Sequence, residues 1–280
     1  MDMAVCDVCF RHCTIEEGET GFCGGRSCIG GKVVASNYGK VTSLALDPIE
    51  KKPLNRFCGG SLVLSVGSYG CNLRCPFCQN YSISWSEEAK ALPAVTEYIP
   101  LEDLALTAER YRSKGNIGVA FTYNEPLIGY EYVRDTAALV HERGMKNVMV
   151  TNGTAEIHVL REILPYIDAM NIDLKGFSDR YYKEVLGGSR RMVMDFIEKA
   201  AGSCHVELTT LIVPGENDSV DEMEQLTEWV CGIDREIPLH ISRFFPRFHM
   251  TDRNAMDVSH IYRLADIARE RLDYVYTGNC

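Results

Sequence analysis

Residues 71 to 78 read CNLRCPFC, which sets Cys71, Cys75 and Cys78 in a C-x3-C-x2-C spacing. Thiolates this close together in sequence are metal ligands, yet a fully coordinated zinc or iron–sulfur site takes four protein ligands and this loop offers three. Three thiolates on a cubane cluster occupy three irons and leave the fourth open to a small molecule. The plainer readings are a zinc loop with its fourth ligand elsewhere, or chance clustering in a chain with twelve cysteines.

A second set stands near the N-terminus. Cys6, Cys9, Cys13 and Cys23 give C-x2-C-x3-C-x9-C, with Cys28 and His12 as further donors. Four soft ligands suit tetrahedral zinc or a second iron–sulfur cluster, and a small Gly-rich segment without a core gains order from such a metal. Zinc as a structural clip is the first reading, an auxiliary cluster able to relay electrons the second, and free thiols the third. Cys58, Cys204, Cys231 and Cys280 are isolated and read as small buried or idle thiols.

Nine of the twelve cysteines precede residue 79 in close clusters, and the opening MDMAVCDVCF lacks a basic stretch followed by an apolar one. Metal binding in a reducing compartment is therefore expected in place of disulfides, and the expected location is cytoplasmic. Apolar runs such as SLVLSVGS fall far short of the roughly 20 residues of a membrane-spanning helix, so no membrane partner is expected. A net charge of −10 argues against a broad grip on nucleic acid, which depends on many Lys and Arg releasing counterions from phosphate.

What must position these cysteines is a 280-residue chain, 46% hydrophobic, long enough to bury one large core. Strand-like runs lie at 62–68, 117–123, 147–151, 169–174, 205–213 and 239–244, with a seventh candidate at 274–277. Between them, LEDLALTAERYRSKG, YEYVRDTAALVHERG and VDEMEQLTEWVCGI carry helical spacing of Leu, Ala and Val. Strand–helix alternation implies a parallel sheet. The expected fold class is α/β: a partial (β/α)6 TIM-like barrel over residues 61–280 behind a small Cys-rich metal-binding extension over residues 1–60, with a doubly wound open sheet as the alternative. The loop from Cys71 follows the first strand directly, on the face where a barrel holds its ligands. The DPIEKKP segment reads as a solvated loop or as a cover for that site.

The three-cysteine loop, with aromatic Phe77 before its last Cys, resembles the cluster-binding loop of the radical S-adenosylmethionine (SAM) superfamily. That resemblance implies a [4Fe-4S] cluster on Cys71, Cys75 and Cys78, its open iron chelated by the amino and carboxylate groups of SAM. FTYNEP matches a Gly-Gly-Glu-Pro turn that receives the SAM amino group; Tyr123 and Asn124 stand for the glycines, Glu125 and Pro126 are kept, and the Asn124 side chain is expected at the methionyl group. VTNG, with Thr151 and Asn152, and NIDLKG are similar to the activating enzymes of glycyl-radical enzymes, relatives of pyruvate formate-lyase activase, although Val150 stands where an acidic residue is frequent. By that likeness Lys175 is a cation for the SAM carboxylate and Asp173 lies near the ligand or a monovalent cation; a surface ion pair is the plain reading. LIVPGEND implies Val213 as an apolar wall and Asn217 as a polar contact on the adenine side, and LHISRFFPRF offers His240 and Arg243 to the same end, His240 also reading as an ordinary buried strand residue.

Longer segments, YGKVTSLALDPIEKKPL, CPFCQNYSIS and FTYNEPLIGYEY, resemble the radical SAM proteins of the AmmeMemoRadiSam system, an activase-like group, over nearly the whole chain. The implied chemistry is reductive cleavage of SAM to methionine and a 5′-deoxyadenosyl radical, fed by a low-potential donor of ferredoxin or flavodoxin type. The radical takes hydrogen from a glycine of a partner glycyl-radical enzyme on the first hypothesis, or from a small molecule or other macromolecule on the second. A non-catalytic iron–sulfur redox module is the third.

Overall fold

The computed structural model describes residues 2–280. Two small hairpins open the chain. β1 (Met3–Val5) pairs with β2 (Thr14–Glu16), and β3 (Arg26–Ile29) with β4 (Lys32–Ala35) across a turn at Gly30 and Gly31. Both glycines have positive φ, which the two-residue turn demands and which glycine adopts without a Cβ penalty.

β5 (Ser43–Pro48) then joins an eight-stranded sheet by pairing antiparallel with β6 (Leu62–Gly67). Six further strands follow in parallel and in chain order: β7 (Asn116–Phe121), β8 (Lys146–Thr151), β9 (Ala169–Asp173), β10 (His205–Ile212), β11 (Leu239–Arg243) and β12 (Val275–Gly278). The sheet thus runs β12 to β5 as an open, partial barrel of seven parallel strands with an antiparallel edge. It takes in residues 43–48, which the sequence reading assigns to the extension.

Two short turns, α1 (Tyr81–Ser84) and α2 (Leu92–Val95), follow the cysteine loop. The longer helices are α3 (Leu101–Arg110), α4 (Tyr130–Glu142), α5 (Ile157–Ile163), α6 (Arg190–Ala201), α7 (Val220–Ile233) and α8 (Val258–Arg269). Their starts are chemically marked: Ser189, Ser219 and Asp257 accept hydrogen bonds from backbone N–H groups of the first turns of α6, α7 and α8. Each lays an i, i+3, i+4 apolar face on the sheet, as with Leu104, Ala105 and Ala108 of α3 and Ile261, Leu264, Ala265 and Ala268 of α8.

The end of the barrel at the N-termini of its strands is plugged. Ile49 and Leu54 are wholly buried against Val63, Ala120, Val148 and Ala169. Pro53 O accepts from Asn171, and the Asn55 and Arg56 N–H groups donate to the buried carboxylate of Glu207 at 3.0 and 2.7 Å. DPIEKKP is therefore neither a solvated loop nor a cover for the cysteine loop: it leads into the opposite end, and its Lys52 is 3% exposed and paired to Asp47 at 2.8 Å. No helix is long and apolar enough to cross a membrane among the described residues.

Candidate active site

At the C-terminal ends of the parallel strands lies a cleft of about 300 Å³. Cys71, Cys75 and Cys78 line it together with Phe77, Tyr123, Asn124, Glu125, Thr151, Asn152, Asp173, Lys175 and Arg243. Burial pushes all three thiols up, Cys75 to about 12, so the loop presents closely spaced thiols that give up protons readily only to a metal group. Phe77 is buried and meets Phe244 edge to face.

The turn after β7 is built round two substitutions for glycine. Tyr123 has φ +74, a left-handed conformation that strains a bulky residue. Its side chain is tied down: the hydroxyl donates to Asp47 at 2.8 Å and the ring lies 4.7 Å from the Lys52 ammonium. Its carbonyl accepts from Asn80, two residues beyond Cys78. Asn124 is spent on the backbone leading into the cysteine loop, accepting from Ser68 N–H at 2.9 Å and donating to the carbonyls of Tyr69 and Gly70.

Glu125 is the knot between loops. Its carboxylate accepts from the Thr151 hydroxyl at 2.6 Å, the Asn152 N–H at 2.8 Å and the Leu127 N–H at 3.0 Å. Burial nevertheless raises its pKa to about 7, the hydrogen bonds opposing only part of the desolvation. Three of the roughly four acceptor sites of a carboxylate are filled, leaving one toward the cleft.

Across the cleft, the Lys175 ammonium meets Asp173 at 2.7 Å. Burial works against the charged amine, but Asp173 outweighs it and the net shift is upward, so Lys175 is a permanent cation beside the thiols. Asn152 donates to Cys71 Sγ at 3.7 Å and to the Asn72 carboxamide at 3.0 Å.

Three expected residues sit elsewhere. Val213 is wholly buried, and Asn217 clamps its own turn, accepting from Val213 N–H and donating to the carbonyls of Lys175 and Leu211. His240 lies within the sheet, bonded through Nε2 to Glu207 at 2.6 Å and stacked on Tyr276. Sequence reasoning misses Asn80, Leu211, Phe245, Arg247 and Asn279, which all line the cleft. For Asn279 a signal existed: it follows the seventh strand as the other site residues follow theirs.

Among the N-terminal donors, Cys6, Cys9, Cys13 and Cys23 line one small cavity. His12 turns to Glu156 at 3.3 Å, and Cys28 donates to Glu17, so neither joins them.

The family model described as the radical SAM superfamily matches residues 65–230. An uncharacterized protein of Methanocaldococcus jannaschii is 42% identical over 98% of this chain and 80% of its own length. The pyruvate formate-lyase 1-activating enzyme of Escherichia coli is 26% identical over 57% of this chain and 65% of its own length. Among solved structures, Streptococcus suis SuiB bound to S-adenosylmethionine superposes with a TM-score of 0.59 at 15% identity, over 76% of this chain and 48% of that one, a likeness of fold. From its parallel strands, the cysteine loop behind the first of them and this match, the chain belongs to the radical SAM superfamily, enzymes that use a [4Fe-4S] cluster and S-adenosylmethionine.

Proposed function

We propose that Cys71, Cys75 and Cys78 hold the [4Fe-4S] cluster, that the cleft beside them receives SAM, and that the substrate is a glycine in a partner glycyl-radical enzyme. The observation that carries this is the meeting, in one cleft, of three thiols, one buried and two half-buried, with a raised carboxyl and a half-buried ammonium. When bound, the cluster supplies the electron that splits SAM into methionine and a 5′-deoxyadenosyl radical, which takes hydrogen from the substrate.

The chain's own residues supply orientation and dryness. Glu125 would receive the SAM amino group at its remaining acceptor site, and Lys175, held by Asp173, would pair with the SAM carboxylate. Phe77 and Leu211 give apolar walls that keep water from the reacting carbon, and Arg243, anchored on the Met256 carbonyl at 2.6 Å, stands at the rim. The fit for a protein loop is supported by the likeness to the E. coli activating enzyme over 166 residues. The electron donor is of the ferredoxin or flavodoxin class.

The test is anaerobic reconstitution with iron, sulfide, SAM and dithionite. Deoxyadenosine by mass spectrometry is expected from wild type and absent from Cys71→Ala. With a glycyl-radical enzyme from the same cell, a glycyl doublet by electron paramagnetic resonance (EPR) is expected. Deoxyadenosine formed while every such partner stays silent would move the substrate to a small molecule or another macromolecule.

A further inference from the structure

The four N-terminal thiols form a built site that the function above does not use. Cys6 and Cys13 are brought together by the β1–β2 hairpin, whose turn is closed by Cys6 N–H to Cys13 O at 2.9 Å. Cys6, Cys9 and Cys23 are buried. Arg26 lines the same cavity, is 4% exposed, and gives one end of its guanidinium to Glu131 at 2.6 and 2.7 Å. Its Nε–H, also buried, has no hydrogen-bond partner. A buried orphan donor of a permanent cation beside four thiols points to an anionic group between them, since a buried donor left unpaired is costly.

Two anionic groups compete for the site, a zinc tetrathiolate and an iron–sulfur cluster, and the arrangement of the thiols bears on the choice. Zinc draws its thiolates to about 2.3 Å in a tetrahedron, so a zinc-ready set converges on one point. Among the described residues no three His, Cys, Asp or Glu side chains converge on a single ion, although all four thiols face one cavity. The same holds of Cys71, Cys75 and Cys78, which line their own cleft.

The two cysteine sets also share a wall. Cys71 N–H donates to Cys23 O at 3.0 Å. A Cβ at Gly70, whose φ is +90, would come within 2.5 Å of that same carbonyl, so the close approach requires glycine. Arg11, which lines the N-terminal cavity, donates to Asn72 O at 2.9 Å, and the Asn72 side chain accepts from Asn152, which donates to Cys71 Sγ.

We propose that Cys6, Cys9, Cys13 and Cys23 hold a second iron–sulfur cluster that passes electrons singly to the cluster at Cys71, Cys75 and Cys78, a role that rests on the reading of that loop given above. A low-potential donor of the ferredoxin or flavodoxin class reduces the outer cluster by one electron. That electron crosses the shared wall to the inner cluster and returns the outer one to its oxidised state. No bond is made or broken at either cluster in this step. Arg26 supplies a hydrogen bond to the outer cluster's sulfur.

The experiment is anaerobic reconstitution of the full chain followed by iron, sulfide and zinc analysis and low-temperature EPR after reduction. Three proteins are compared: wild type, Cys6→Ala/Cys9→Ala, and Cys71→Ala/Cys75→Ala/Cys78→Ala. About eight irons are expected in wild type and about four in each variant, as two four-iron clusters require. The triple variant keeps all four N-terminal thiols, so it reads the site even if the double variant fails to fold. A reduced-cluster signal in the triple variant is expected, and the wild-type spectrum is expected to be broadened by coupling between neighbouring centres. One zinc and no iron in the triple variant would overturn the cluster while leaving the SAM reading untouched, and a wild-type spectrum equal to the sum of the two variants' would overturn the relay.

Discussion

At the scale of single residues, Glu125 ties the chemistry to pH. Its carboxyl is held at about 7, above the ordinary 4.5, because burial outweighs three hydrogen bonds. The folded chain therefore binds more protons than the unfolded one between those values, and the ligand-free protein loses stability as pH rises through them. An iron-bound amino group donates N–H and so favours the ionised carboxylate as acceptor, and SAM should therefore bind more tightly as pH climbs through 7. Glu125→Gln should flatten that dependence and weaken binding about tenfold or more, the worth of a charge-assisted hydrogen bond; calorimetry from about pH 6 to about pH 8 reads both. Lys175→Met should raise the SAM dissociation constant by a similar factor of about ten while leaving iron content unchanged. The cysteine loop, Glu125, Asp173 and Lys175 were legible because chemistry restricts residue type at each. Asn124 was legible as a position in the cleft, but not its hold on the backbone of Ser68, Tyr69 and Gly70, because nothing in the letters tells a side chain that meets ligand from one that holds the neighbouring backbone.

Among the elements, the plug at the barrel floor is the most consequential, and the one least visible beforehand. Four charged residues, Asp47, Glu50, Lys51 and Lys52, make DPIEKKPLN look solvated until the parallel strands create a lumen that Ile49 and Leu54 fill, a fact of tertiary closure that no local pattern carries. His240 was ambiguous for the same reason: its partner Glu207 lies 33 residues away on the adjacent strand. Glu207 is held down at about 2, because His205, His240 and the Arg56 and Asn55 N–H groups outweigh its burial. Its contribution is complete above the ordinary value of 4.5 and is lost as pH falls from there toward 2. Glu207→Ala should cost about 3 kcal/mol or more at neutral pH, since it strands several buried donors, and urea unfolding at pH 7 measures it. The strands themselves, by contrast, announced themselves as apolar runs at regular intervals, and each appears within a residue or two of its expected bounds.

For the molecule as a whole, the question is how a small extension, sharing Val8, Ile15 and Cys28 with the main core, keeps its place against a barrel. Part of the answer is the Arg26–Glu131 ion pair, which joins β3 to α4. Another part is Phe22, whose ring lies 3.4 Å from the guanidinium carbon of Arg11 and 3.7 Å from that of Arg74. Arg26→Ala should cost about 1–3 kcal/mol and loosen the extension first; hydrogen exchange should quicken across residues 3–35 while the barrel strands stay protected. A parallel sheet was readable from strand–helix alternation, whereas the place of β5 at its antiparallel edge was not, because none of its residues is fully buried and its exposure follows no period of two. The sealed floor, finally, bears on turnover. With the floor closed, nucleoside and amino acid products leave the same cleft that fresh cofactor enters, and the cleft holds one or the other. Methionine and deoxyadenosine together should therefore inhibit competitively against SAM, slowing the enzyme as they accumulate unless something downstream removes them.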